Sequence, residues 1–457
     1  MTGISSLYTA LSGMRAQSRV LDLTGHNVAN AATPGYHRQR ADLQAVSGGT
    51  PGLFSGVNAR NFGVEVVSVT HSFDALFEAR STREEASRSA TSLVSSTLSQ
   101  LQAAIPEPSD TGLASQLDAF WGAWSDVATQ PDSLPVRAQL LSNATSLTNS
   151  LHSTAASITA LKDTAIGQMA TLAGDANGLA AQIATLNKAI MANPTASLDL
   201  IDQRGQIMTS LAKLTGAVSR PSEGGQIDVS IGGRLIVSGT HSFALDGAGG
   251  TLRWASDNQA VTATSGDAAA LSATITDIVP RYTAALDGVA AALVSSVNAL
   301  HTVGYDQTGT TGRQFFDPAG VTAATIGLSV DVNGLPGNIA AGAPVLPGPV
   351  APGPLDGDQA RAIATLAESL TGADSQYESL IANLAVETSV SAQRADLQDQ
   401  VADTAKAQAD SVGAVSIDEE MANLTAAQRA FEASARVMTT VDDMLGFLIE
   451  HTGVVGR

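Results

Sequence analysis

Two groups of carboxylates are the residues of this chain best suited to acid–base chemistry. Glu84 and Glu85 are adjacent, and Asp418, Glu419 and Glu420 form a run near the C-terminus. Paired carboxylates can divide proton transfer between them when their surroundings separate their pKa values. Both groups fall in segments that we predict to be helical, where a solvated face or a helix N-terminus accounts for them. The carboxylates therefore give no reason to predict catalysis.

The remaining chemistry-bearing residues are equally sparse. His26 and His37 are the closest of seven histidines and flank a Pro-Gly turn, which favours a hydrogen-bonded scaffold over a metal site. The loop from Gly304 to Gly312 lacks the alternating oxygen ligands and the closing glutamate of a calcium loop. No phosphate-binding glycine motif, nucleophile elbow or zinc-protease motif is present, and cysteine is absent. We expect no catalytic residue, no cofactor and no metal, and hence no enzyme.

Composition excludes further classes of function. The 457 residues hold 24 Lys and Arg against 43 Asp and Glu, a net charge of -19, which repels nucleic acid and anionic lipid headgroups. We find no secretory signal peptide at the N-terminus and expect no membrane-spanning stretch. Aromatic residues make up only 4% of the chain, which favours closely packed helices rich in alanine and leucine.

The two ends of the chain carry matching heptad patterns, which predict an amphipathic helix at each end. The apolar residues at these positions are Ile4, Leu7, Leu11, Met14, Leu21 and Val28 in the first segment and Met421, Leu424, Phe431, Met438, Leu445 and Ile449 in the second. The first helix must end before Thr33-Pro34-Gly35, and Ser416 with Glu419 forms a capping box that begins the second. Two arrangements remain open, because the seams could pair with each other in one chain or pack against neighbouring subunits.

Between the ends, long helical segments surround one short stretch of strands. We predict helices at about 72–105, 113–128, 135–191, 198–214, 268–303 and 356–412. Ile227, Val229 and Ile231 alternate with polar residues before a Gly232-Gly233 turn, which indicates a hairpin in a β insertion on an exposed face. Six prolines then fall in a loop-rich connection, at Pro336, Pro344, Pro347, Pro349, Pro352 and Pro354.

These elements predict a mainly α protein with a small β insertion, elongated and built of several domains. We expect the terminal helices, 1–35 and 416–457, to pair as a coiled-coil-like inner core. A mainly helical middle domain would comprise 36–217 and 269–415, with the loop-rich part at 304–355. Residues 218–268 would form a small outer β domain.

Several motifs give the chain a family resemblance. Ser5-Ser6-Leu7, Ala10 to Met14, Leu21 to Asn30 and Thr33 to Tyr36 resemble the N-terminal signature of the bacterial flagellar rod, hook and junction proteins. The continuation through Arg38 and Gln39 is similar to the form found in hook-associated proteins, with His37 in place of the usual serine. Further similar blocks are Leu200 to Arg204, Leu293 to Asp306, Asp418 to Leu424 and Ala433 to Val437.

The resemblance implies a structural subunit of the flagellum that joins hook to filament. It implies a ring of about eleven copies, a type of assembly in which a heterologous contact repeats between copies. The partners implied are further copies of the chain, the hook protein, a second junction protein (hook-associated protein 3) and a flagellar export chaperone. The implied location is extracellular, in the bacterial flagellum, after type III export without a cleaved signal peptide. The alternatives are another axial subunit of the distal rod or hook, a secreted enzyme, or an adhesin.

Overall fold

The computed structural model describes residues 3–46, 63–193, 198–345 and 351–452. The chain forms two compact units, each assembled from separate stretches of sequence. Unit 1 comprises Met1–Ala86, Ala176–Ala244 and Asp399–Arg457, and unit 2 comprises Ser87–Asp175 and Leu245–Gln398. Both ends of the chain therefore belong to unit 1.

The described residues are mainly helical, as predicted. The helices are α1 (Gly3–Asn30), α2 (Ala75–Ala104), α3 (Leu113–Thr129), α4 (Leu134–Ala192), α5 (Leu198–Thr215), α6 (Gly266–Ala273), α7 (Val279–His301), α8 (Asp358–Ala364), α9 (Ala373–Gly413) and α10 (Ile417–Thr452). The start of α10 is capped as expected, because the Glu419 N–H points at Ser416 Oγ at 3.5 Å.

Within the described ranges, the strands form three small antiparallel sheets. They are β1 (Gln39–Val46), β2 (Gly63–His71), β3 (Val218–Pro221), β4 (Ile227–Ile231), β5 (Arg234–Ser238), β6 (His241–Ser242), β7 (Leu245–Asp246) and β8 (Arg253–Trp254). β1 pairs with β2, the four strands β3 to β6 pair in chain order, and β7 pairs with β8. The β1–β2 pair was not predicted from the sequence.

In unit 1, α1 packs against α10 and against the β1–β2 pair. The backbone N–H of Val64 in β2 donates to Ser12 Oγ in α1 at 3.2 Å. The four-stranded sheet is fastened to α4 by Asn187, whose side chain donates to the carbonyls of Ile227 and Gly239 and accepts from the Ile227 N–H. Asn187 is fully buried, so these bonds form out of contact with water.

The core of unit 2 is built around an aromatic group. Phe120 of α3 contacts Phe315 and Phe316, and Trp124 of α3 contacts Phe315, with ring centroids 5.1 to 5.9 Å apart. All four side chains are fully buried. Trp124 is therefore a core residue, and α7 and the inner faces of α2 and α4 add further side chains to this cluster.

One helical run, Gly266–His301, is long and apolar enough to cross a membrane by length and composition alone. The expectation of no such stretch is therefore wrong on that count. Its apolar side chains pack into the core of unit 2, where Leu286, Val289 and Leu293 are fully buried. Apolar content of this kind is typical of a core helix in a protein with its own hydrophobic interior.

Two predicted helices contain breaks. The segment predicted as almost continuously helical from 356 to about 412 is interrupted between α8 and α9, where the Gly372 N–H closes a turn on the Ser369 carbonyl. The segment at 268–303 includes one wider turn at Thr274–Ile278. Pro280 lies two residues after that turn, and because proline has no N–H to donate, the regular hydrogen-bond ladder cannot continue through it.

The strands of the predicted β insertion are divided between the two compact units. The sheet of β3 to β6 belongs to unit 1, and the β7–β8 pair belongs to unit 2. At Gly247, an added Cβ would lie 2.2 Å from the Met169 carbonyl of α4, so the hairpin backbone touches that helix directly. The division into an inner core, a middle domain and an outer β domain stays a prediction, and Pro347 and Pro349 lie outside the described residues.

Candidate assembly interface and its polar cluster

The two terminal helices lie antiparallel in one chain. Asn27 in α1 bonds Glu420 in α10, and Gly13 in α1 lies against Ser434 in α10. At Gly13 an added Cβ would be 3.0 Å from Ser434 Oγ, so glycine permits the close approach of the two helices. Small and medium apolar side chains are buried elsewhere along the contact, namely Ala10, Ala16, Leu23, Ala427 and Val441.

One end of this helix pair is organised around Asn27, which is only 2% exposed. Its side-chain amide donates to the Gln39 carbonyl and to Glu420 Oε2, each at 2.9 Å. Its side-chain oxygen accepts from the Gln39 N–H at 3.0 Å and from the Tyr36 hydroxyl at 2.8 Å. Asn27 therefore satisfies its amide and joins α1, the start of β1 and α10 at one point.

Glu420 supplies the negative charge of this cluster and, like Asn27, is 2% exposed. Arg38 donates from Nε to Glu420 Oε1 and from Nη1 to Glu419 Oε2, both at 2.8 Å. A buried carboxylate is costly unless it is paired and hydrogen-bonded, and Glu420 has both kinds of partner. The acidic run was predicted to lie at a helix N-terminus. In addition, its Glu420 forms an ion pair with Arg38, which lies 382 residues earlier in the chain.

His37 holds the neighbouring segment between two carboxylates. Its Nδ1 lies 2.7 Å from Asp202 Oδ1 in α5, and its Nε2 lies 3.2 Å from Glu78 Oε1 in α2. These hydrogen bonds, to Asp202 first and then to Glu78, raise the pKa of His37 to about 10 against the opposing effect of burial. Burial opposes ionisation of Asp202, yet hydrogen bonds from His37 and the charge of His71 keep the pKa of Asp202 below its ordinary value.

The turn before β1 is fixed to α5 as well. Gly35 has φ of +68°, and an added Cβ there would meet the Gln206 side chain at 2.6 Å, so the position requires glycine. The Gln206 amide donates to the Pro34 carbonyl, and the Gln39 amide donates to Asp199 Oδ1 at 2.8 Å. Residues of α1, the 34–39 turn, α2, α5 and α10 therefore form one polar cluster, which we call the terminal cluster.

The residues predicted for the interface divide into two groups. Half-buried positions on the helix pair are Leu7, Leu11, Met14, Leu21, Val28, Leu424, Phe431, Met438 and Leu445. Met421 and Ile449 are exposed, and the side chain of Ile4 lies outside the described residues. Their role as contacts with other subunits stays a prediction.

Sequence reasoning missed the members of the terminal cluster as a group. Asn27, Arg38 and Glu420 all stand in motifs that carry the family resemblance, which was the available signal, but spacing alone gave them no common role. The histidine interpretation was correct in kind, because His26 Nδ1 lies 3.0 Å from the Tyr36 hydroxyl and His37 is hydrogen-bonded. Among the residues that the structure describes, no three histidine or acidic side chains are placed to hold a metal ion.

Three family models match separate parts of the chain. Residues 7–37 match the flagella basal body rod protein model, and residues 412–450 match the C-terminal model of the flagellar basal body rod FlgEFG proteins. Residues 98–316 match the helical domain of the flagellar hook-associated protein FlgK. The first two matches cover the paired terminal helices, and together the three define a structural protein of the flagellar axis.

Two relatives are similar to more of the chain. Flagellar hook-associated protein 1 of Bacillus subtilis (strain 168) is 26% identical over 512 residues, covering 99% of this chain and 99% of that protein. The flagellar hook junction protein FlgK from Burkholderia pseudomallei aligns in structure with 52% of this chain and 46% of that chain, at 23% identity and a TM-score of 0.49. Within the axial proteins, the chain is therefore similar to flagellar hook-associated protein 1 along nearly its whole length, and its middle segment matches the helical domain of that protein family.

Proposed function

We propose that this chain is the subunit of a junction ring between hook and filament, exported unfolded by the flagellar type III route. Its similarity to the hook-associated proteins supports a structural role in the flagellum. Beyond that structural role, we propose a ring of about eleven copies, in which one heterologous contact repeats around the axis. We also propose the type III route as the way in which the chain leaves the cell.

The observation that carries the proposal is an exposed apolar face on the paired terminal helices. Val437, Met444, Phe447 and Leu448 of α10 are each at least half exposed, although the opposite side of α10 packs on α1. Contiguous apolar surface of this kind marks a site of association with another protein. A second copy, the hook protein and the second junction protein, hook-associated protein 3, are the partners we propose for the terminal helices.

Composition agrees with passage of an unfolded chain. The sequence has no cysteine and few aromatic residues, so no disulfide fixes the chain. The exposed apolar residues of α10 would need cover before export, and we propose that a flagellar export chaperone supplies it. After export, the chain would lie outside the cell in the flagellum.

A second candidate is another axial subunit, in the distal rod or the hook. The matches of both terminal segments to rod-protein models favour it. The match of residues 98–316 to a hook-associated helical domain favours the junction instead, because that segment covers most of unit 2. An enzymatic role has no observation in its support.

The test is a deletion of the gene in its source bacterium, followed by electron microscopy of the cell surface. A junction subunit predicts hooks of ordinary length that carry no filament, and restoration of filaments by the intact gene. A distal rod subunit predicts instead that hooks are missing too. Filaments of ordinary number and length in the deletion strain would contradict both candidates.

A further inference from the structure

A histidine held between two acidic side chains joins three separate segments of unit 1. We propose that His37 is a pH-sensitive clasp: in its protonated form it fastens residues 36–39 to α2 and α5, and loss of that proton frees the segment. The proposal stands on the geometry of the cluster and does not depend on the function proposed above.

Both ring nitrogens of His37 face carboxylate oxygens. Nδ1 is 2.7 Å from Asp202 Oδ1 and Nε2 is 3.2 Å from Glu78 Oε1. An ionised carboxylate can only accept, and a neutral imidazole has one N–H, so only the imidazolium can donate to both. The neutral ring would turn a lone pair towards one of the two acids.

Charged and titratable groups of both signs surround His37. The titratable and charged groups on the elements packed nearby are Glu78 of α2, Asp199 and Asp202 of α5, His71 of β2, and the Arg38 ion pairs with Glu419 and Glu420 of α10. His71 Nε2 lies 3.4 Å from Asp202 Oδ2, and the His37 backbone N–H also donates to that oxygen at 3.1 Å. The end of α9 contributes a backbone contact at Gly413.

His37 is connected to the contact between α1 and α10 through the next residue, Arg38. The Arg38 N–H donates to the Gly413 carbonyl and the Ser72 N–H donates to the Arg38 carbonyl, each at 2.8 Å. The Arg38 side chain pairs with Glu420, which in turn accepts from Asn27. Release of His37 would therefore loosen the segment that holds α1 and α10 in register.

The direction of the pH dependence follows from the two partners. With the pKa of His37 raised from 6.5 to about 10, the stabilisation is complete below about pH 6.5 and is lost as pH rises through about 10. With the pKa of Asp202 held below its ordinary 3.8, the contribution of that carboxylate is lost as pH falls through the lowered value. The clasp is therefore closed from mildly acidic to neutral pH and opens in alkali.

The experiment is a nuclear magnetic resonance titration of the full chain with labelled histidine rings and labelled backbone amides. The His37 ring is assigned from its absence in His37→Ser, and exposed His241 on β6 is the internal reference. We expect the His37 ring to stay charged well above pH 8, and the Arg38 and Ser72 amide signals to shift with the same midpoint. In Glu78→Gln that midpoint should fall by about one pH unit or more, because one of the two carboxylates is gone.

Three results would overturn the proposal. They are a His37 ring that loses its proton near pH 6.5, Arg38 and Ser72 amides that do not follow the ring, and an unchanged midpoint in Glu78→Gln. If His37→Ser fails to fold, Glu78→Gln still decides the question, since Glu78 lies at the partly exposed side of the cluster. The histidine signal whose titration midpoint changes in Glu78→Gln is then assigned to His37.

Discussion

Buried polar residues set the register of the terminal helices at one end of their contact. Asn27 and Glu420 are nearly inaccessible to water, yet the Asn27 amide is fully hydrogen-bonded and each carboxylate oxygen of Glu420 has a donor. Apolar side chains of similar volume could fill this space, so the polar pair contributes specificity more than stability. Sliding α10 by one turn along α1 would leave Glu420 without Arg38 and Asn27 without Glu420.

Substitution of Glu420 tests that role. We expect Glu420→Ala to lower the free energy of unfolding of unit 1 by about 1–3 kcal/mol, since it leaves one N–H of the Asn27 amide and one Arg38 nitrogen without an acceptor. The matched control is Glu419→Ala, which removes the more exposed partner of the same arginine and should cost under about 1 kcal/mol. Urea unfolding followed by circular dichroism measures both, and equal losses would contradict a special role for Glu420.

The long helices could be predicted from sequence because their signals are local. The heptad seams, the Thr33-Pro34-Gly35 stop and the Ser416 cap each lie within a few residues of the boundary that they mark. The β1–β2 pair could not, because residues 47–62 separate its strands and no two-residue hairpin turn marks it. The terminal cluster was equally out of reach, since Asn27 and Glu420 are 393 positions apart.

The close contact between α1 and α10 predicts different effects on stability for substitutions of two glycines in α1. Gly13→Leu should separate the helices, because even its Cβ would press on Ser434, and we expect a loss of about 1–3 kcal/mol from overpacking. Gly25 is the matched control in the same helix, with nothing within 4 Å of an added Cβ. Gly25→Leu should leave stability unchanged or raise it by up to about 1 kcal/mol, since leucine is the better helix former.

Hydrogen exchange on the purified chain measures the effect of both glycine substitutions. Faster exchange in both α1 and α10 is expected for Gly13→Leu alone. If the two glycine variants behaved alike, the helices would not meet closely at Gly13.

On the scale of the whole chain, both terminal segments belong to one compact unit, and apolar side chains of α10 in that unit are exposed. Unit 1 holds the first and last stretches of sequence, and unit 2 is built from stretches between them. Assembly through the terminal helices would therefore leave unit 2 free to keep its own core, which contains the aromatic group around Trp124. This division predicts that assembly and folding can be separated by mutation.

Substitution of Phe447 tests whether assembly can be disrupted without loss of folding. It is 63% exposed on α10, so Phe447→Asp should change the melting temperature by no more than about 2 °C, as surface substitutions usually do. The same change should sharply reduce the number of filaments per cell in a complemented deletion strain, because it places a charge on the proposed contact face. Val330→Asp, at a 91% exposed apolar residue of unit 2, is the control and should restore filaments fully. Restoration by both variants would remove Phe447 from the interface.

The position of the chain in the flagellum tests the central claim most directly. A short epitope inserted between Gly232 and Gly233, an exposed turn where an added Cβ at Gly233 meets nothing within 4 Å, leaves the helix pair untouched. Immunogold electron microscopy of motile cells that carry this tagged chain should show label in a single band where the hook meets the filament. Label spread along the hook, or confined to the rod within the cell envelope, would contradict the assignment to the junction.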